Sequence, residues 1–237
     1  MNSVVFDTPR AASSDPKFHL GMALVCAFLV VTGFGSSFFL KDVSAFPVLV
    51  HMHGAIFVAW IGLYVTQTAL VRADRRDLHR RLGVLGAVLA VAVVWVGMKV
   101  SLARVASGVM LAGLPPAVLF GPQLTMLLLF SAFVTLAIYC RRDRDTHKRL
   151  MLLANISIMA PAIARYHLEI FGYKGPVLAQ TLTLLLIVPG IVHDLRARGS
   201  VHSAYVWGGL AIVVTTPLRF IVARTDAWQA FAKWLAS

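Results

Sequence analysis

The chain has 237 residues, 59% of them hydrophobic and only 14% charged, with a formal net charge of +12. Its apolar residues run on without the regular polar interruptions of an amphipathic surface, which excludes a soluble globular domain and a disordered chain and points to a membrane protein. The positive charge is then explained by topology and by attraction to anionic headgroups, and with no soluble basic domain to carry it, nucleic-acid binding is not expected.

A hydrocarbon core of about 30 Å needs roughly 20 helical residues to cross, and lipid offers no partner to an open backbone. Seven stretches qualify, at about 19–40, 46–71, 82–103, 118–140, 150–171, 176–193 and 203–223. The expected fold is therefore all-α, a polytopic seven-transmembrane-helix bundle in one domain over 19–223, with short connections that make consecutive helices antiparallel neighbours. Residues 1–18 form a polar N-terminal segment, and the apolar run after them is too long for a signal-peptide core, so it is read as a retained first span. Arg10 and Lys17 precede that span, and Arg72, Arg75, Arg76, Arg80 and Arg81, then Arg141, Arg142, Arg144, Lys148 and Arg149, then Arg196 and Arg198 crowd alternate connections. The positive-inside rule places these in the cytoplasm, with the N-terminus inside and the C-terminus outside, and a bacterial inner (plasma) membrane is the expected home. Cys26 and Cys140 both lie near that side, and no structural disulfide is expected.

The first span opens on Asp15-Pro-Lys-Phe-His19. The second carries His51, His53 and Gly54, and His53 heads a stripe of Phe57, Trp60, Tyr64 and Gln67 that should face protein rather than lipid. His51 points about 200° away from His53. The third opens on Asp77-Leu-His79-Arg-Arg-Leu82 and holds Lys99 near its far end; the connection from Arg104 to Pro116 is itself apolar and should lie on the outer surface. After the fourth span, with Gln123, the opening phrase returns as Asp145-Thr-His147-Lys-Arg-Leu150. It is read either as a duplicated helix hairpin or as convergent loop chemistry. Asn155, Pro161, Arg165, His167 and Glu169 interrupt the fifth, where Pro161 can bend the helix and Arg165 can pair with Glu169. His193 and Asp194 close the sixth, His202 opens the seventh, and Arg219 stands near the seventh's outer end. Residues 224–237, with a Thr225 or Asp226 cap and Trp228, Phe231 and Trp234 on one face, are expected to form an interfacial anchoring helix.

Counting along helices, His53 lies about 28 Å from Arg72 and His167 about 27 Å from Arg149, so the two share a level. Lys99, Gln123, Arg165 and Arg219 lie near the same depth, and Lys99 and Arg219 are read as snorkelling to headgroups. At the cytoplasmic entries stand His19, His79, His147 and His202, with His193. Each alone fits a cap or headgroup contact, while together they suggest a site. Bis-imidazole ligation of a haem b needs one neutral histidine from each of two facing helices at matched depth. His53 with His167, and His79 with His147, are the two pairs. His51 lies beside the outer pair, and Arg165 or Lys99 is placed to offset the propionates.

The expected function is thus a haem- or metal-binding electron-transfer protein with a membrane redox partner. The alternative is a non-enzymatic membrane sensor, assembly factor or small-molecule- or lipid-binding protein with structural histidines. Zinc hydrolysis is a weaker variant, because a catalytic site wants about three converging ligands and an acidic base, and Glu169 and Asp194 are the only plausible carboxylates near histidines. Coupled transport wants broken helices and midplane polar groups, and the apolar midplane disfavours it.

His79-Arg80-Arg81-Leu82-Gly83, His147-Lys148-Arg149-Leu150-Met151 and Pro161-Ala162-Ile163-Ala164-Arg165, together with His51-Met52-His53-Gly54 and Val201-His202-Ser203-Ala204-Tyr205, resemble a group of uncharacterised bacterial multi-spanning membrane proteins. That resemblance covers most of spans two to seven and implies a fold but no reaction. A remoter likeness to cytochrome b561 and ferric-reductase membrane domains rests on histidines layered near both membrane faces, and implies haem.

Overall fold

In the computed structural model the chain is described over residues 16–40, 42, 44, 46–111, 113–170 and 176–237, with side chains at all of these but 36, 37, 167–170, 176 and 177. The helices are α1 (Pro16–Phe34), extended by a short π-helical stretch (Gly35–Phe39), α2 (Val48–Arg72), α3 (Arg76–Ser107), α4 (Pro116–Tyr139) and α5 (Arg144–Ser157). After them come α6 (Ala160–Ile170), α7 (Pro176–Leu185), α8 (Val188–Arg198), α9 (Ser203–Ala223) and α10 (Asp226–Ala236). Among the described residues the one pairing of extended chain is a bridge between Leu111 and Leu114.

Six stretches are long and apolar enough to cross a membrane: α1, α2, α3, α4, α9, and Leu178–Arg198, in which α7 and α8 follow one another. The stretch expected at 150–171 is instead divided between α5 and α6. Proline accounts for both divisions, because its ring clashes with the carbonyl four residues back and it has no N–H to give that carbonyl. Four residues before Pro161 is Ser157, where α5 ends; four residues before Pro189 is Leu185, where α7 ends. By rise per residue the two breaks lie about 21 Å and about 17 Å from the basic turns that bound α5 and α8. The sequence marks a bend at Pro161 and none at Pro189, and the structure divides the helix at both.

Every residue from Leu152 to Ala160 is buried. A segment buried all round belongs at the centre of a bundle, and this one packs against α1, α4, α7 and α9. The periphery shows the opposite pattern. On α3, Val84, Val88, Val91 and Trp95 are exposed along one stripe, while Ala90, Val93, Gly97 and Ser101 are buried on the other face. An outward apolar stripe at helical spacing is the surface a bilayer covers. α10 lies against α3 and α4, held by Trp228 Nε1, which donates to the Ala117 carbonyl at 3.0 Å, while Trp234 stays exposed.

Close approach of α1 to α6 depends on Gly33. A Cβ there would sit 2.5 Å from the Ala162 carbonyl oxygen, a backbone atom with no side-chain freedom to yield. Gly33→Ala should lower the stability of the detergent-solubilised protein by about 1–3 kcal/mol through overpacking, seen as a lower thermal midpoint. Gly21→Ala, where nothing lies within 4 Å, should leave the midpoint unchanged or raise it.

Candidate functional site

The polar chemistry of the described chain concentrates at the end of the bundle that carries the basic turns. Asp143 caps α5, its Oδ1 accepting from the backbone N–H groups of Asp145 (3.0 Å) and Thr146 (3.3 Å). That cap fixes the first turn of α5 and so the direction of His147. The His147 ring reaches back to the last turn of α4, where Nδ1 lies 2.8 Å from the Ala137 carbonyl. A carbonyl only accepts, so a proton sits on Nδ1, and Nε2 is the nitrogen left to serve as a donor to a metal.

His79, in the first turn of α3, stands edge-to-face with His147, ring centroids 6.2 Å apart and planes at 88°. Its Nδ1 is buried without a hydrogen-bond partner, as is Oε1 of Gln67 on neighbouring α2. Gln67 also presents its backbone to the His79 ring. Two imidazoles that share one metal at about 2 Å from each nitrogen have centroids on the order of 6 Å apart, so the separation fits a two-imidazole centre. A ring nitrogen bonded to a carbonyl is also the usual outer support of a ligating histidine. Among the described residues no group of three or more His, Cys, Asp and Glu converges to hold a metal.

The outer candidates are placed differently. His53 packs on Phe57 at 4.2 Å between centroids, and its Nδ1 is buried without a hydrogen-bond partner. His51 turns away toward Phe38 (5.8 Å) and Phe46 (6.2 Å). Arg165 donates from Nη1 to the Pro161 carbonyl at 2.7 Å and lies 3.7 Å over the Phe34 ring. His167 and Glu169 belong to α6, but their side chains lie outside the described residues, so the His53–His167 and Arg165–Glu169 pairings do too. The stripe below His53 faces protein: Trp60 Nε1 donates to Asn155 Oδ1 at 3.0 Å, and Trp60 and Tyr64 are buried. Lys99 is exposed, whereas Arg219 does not snorkel. It is buried, with Nη2 donating to Gln180 Oε1 on α7 and to Thr216 Oγ1 on α9, so its charge is met by acceptors within the bundle.

Sequence reasoning missed the strongest interaction of all. Arg149 has no exposure, and its Nε donates to Asp194 Oδ2 at 2.9 Å while Nη2 pairs with Oδ1 of the same carboxylate. Nη1 donates to the Asp145 carbonyl at 2.8 Å and to its Oδ1 at 3.0 Å, and the guanidinium lies 5.9 Å from the Tyr205 ring centre. Asp194 Oδ2 also accepts from the backbone N–H of His202 at 3.0 Å. The signal was present, since Asp194 is the one acid within the stretch from 176 to 193 and its immediate flank. The repeated phrase concealed it: Arg81, the counterpart of Arg149, is exposed. His202 is a cap, its Nδ1 accepting from the Ala204 N–H at 3.1 Å, and burial followed by the charges of Arg149 and Arg198 lowers its pKa.

Compared with known protein families, with curated proteins and with solved structures, the chain matches none.

Removing one partner of a buried ion pair leaves the other charge stranded, at a cost of about 3–5 kcal/mol. Asp194→Ala should therefore lower the thermal midpoint sharply, and Arg149→Met combined with Asp194→Leu should recover most of the loss. Half-buried Asp145 gives a pH signature. Hydrogen bonding from Lys148, ahead of Arg149, lowers its carboxyl to about 2, so folding favours the ionised form. That stabilisation is complete above the unfolded value of about 4 and is lost as the pH falls toward 2. Asp145→Asn should flatten the fall of stability between those values in acid titrations of the folded protein.

Proposed function

We propose that the chain is a multi-pass protein of the bacterial inner membrane that holds a redox centre between His79 and His147 and exchanges electrons with a membrane partner. In this reading α5 and α6 together make a fifth crossing, the chain crosses seven times, the N-terminus and the basic turns face the cytoplasm, and the C-terminus lies outside. The distribution of Lys and Arg supports that orientation. The observation that carries the functional reading is the His79–His147 pair itself. Its rings are separated as a shared metal requires, one tautomer is held by the Ala137 carbonyl, and an unpartnered buried nitrogen completes the pair.

Haem b iron takes two such imidazoles and would supply one-electron transfer when bound; a bare metal ion fits the same two donors. The chain's own contribution is to orient the rings. His147 is fixed by Ala137, and the arginines at 80 and 81 supply positive charge beside His79 for an anionic edge such as haem propionates. A second reading, a non-catalytic membrane protein with structural histidines, is favoured by His202, whose ring serves as the cap of α9.

The test is the absorption spectrum of detergent-purified protein, oxidised and then dithionite-reduced, with metal analysis of the same sample. A Soret band or stoichiometric metal is expected, abolished by His79→Ala and by His147→Ala. Protein expressed with haem and metals available that shows neither band nor metal supports the structural-histidine reading instead. A centre that survives both substitutions but disappears in His53→Ala and His167→Ala returns the assignment to the outer pair.

A further inference from the structure

A second pair of histidines meets at the basic end, and neither the repeated phrase nor the depth count marked it. His19 stands in the first turn of α1 and His193 near the end of α8, with ring centroids 6.3 Å apart and planes at 83°. The geometry nearly repeats that of His79 with His147. Phe18 holds the pair in place, stacked on His193 at 4.1 Å and set edge-on to His19 at 5.2 Å. Each imidazole has two nitrogens, so a ring that gives one to a neighbour still offers the other.

The surroundings select among metals. His19, Met22 and Cys26 follow at helical spacing on the buried face of α1, with Met22 one turn from His19. Residues three apart on a helix are neighbours, with Cβ atoms about 5–6 Å apart. The donor set available is thus two imidazoles and a thioether. Zinc wants four ligands and commonly thiolate or carboxylate among them, while thioether softness favours copper(I). His193 also borders an open cleft lined by Phe18, Pro189, Val192, Arg196 and Ala197, which gives an ion a way in from the basic end. Asp194 lies 3.9 Å from His193 Nδ1, but its carboxylate is already engaged by Arg149.

We infer that His19 and His193, with Met22 as a third, soft donor, form a copper(I) site separate from the His79–His147 centre. The site does not depend on the proposed electron-transfer function, and each pair has its own variants, so the failure of one assignment is distinguishable from the failure of the other.

The experiment is anaerobic titration of the purified full-length protein with copper(I) against bicinchoninate. One tightly held copper per chain is expected in the wild type and in the His79→Ala, His147→Ala double variant. His193→Ala should weaken binding at least about tenfold, which corresponds to about 1.4 kcal/mol. Met22→Leu, which keeps volume and so keeps the fold, should weaken it several-fold. His193→Met, which restores a soft donor, should bind within about tenfold of the wild type. Unchanged affinity in His193→Ala and Met22→Leu would overturn the assignment, as would loss of the copper in the His79→Ala, His147→Ala variant. Equal losses in His193→Met and His193→Ala would also overturn it, by making His193 a packing residue.

Discussion

Arg149 brings a positive charge to a place that water does not reach, and one end of the bundle is arranged around what that charge needs. Its guanidinium is forked across a carboxylate from α8, tied to a carbonyl and a carboxylate on its own helix, and covered by a tyrosine from α9. The same carboxylate accepts from the backbone at the start of α9. Three helices are thereby fixed in register by one ion pair. A hydrophobic contact of similar area would hold them together, but it would not specify which turn faces which, because apolar packing has no direction and an arginine fork does.

The histidines take their positions from this frame. His193 is the residue before Asp194, His147 lies two residues before Arg149, and His202 gives its N–H to Asp194. The lock therefore sets the azimuth of the helices that carry three of the five histidines at this end. His79 arrives from α3 and His19 from α1, each completing a pair whose other member is already held. Paired, nearly perpendicular imidazoles at two places follow from a structural interaction next door to them, which is why the lock and the candidate sites are hard to separate by sequence position alone.

Much of the architecture was legible because membranes impose coarse rules. Long apolar runs gave helices at α1 to α4 and α9, and the stripe from Phe57 to Tyr64 was correctly assigned to protein contact. The fifth stretch was harder. Pro161 was seen as a bend, but Pro189 was not read at all, and both end a helix four residues upstream. Of the inner histidines, the matched phrases around His79 and His147 led to a pair that does meet, whereas His19 and His193 share no phrase and were brought together only by packing of α1 and α8. Arg219 was assigned to the headgroups from depth alone, and depth does not reveal that Gln180 and Thr216 stand beside it. Arg149 was counted among loop charges because its sequence neighbours are loop charges.

The lock also bears on how the chain enters a bilayer. α5 is closely enclosed, yet at 14 residues it is by itself too short to cross a membrane. Its arginine is made 45 residues before the aspartate that neutralises it. Until α8 is made, Asp145 on its own helix is the one carboxylate that this guanidinium has beside it. The register of α5, α8 and α9 is therefore closed only by the later part of the chain, although most of the helices it orders are encoded before it.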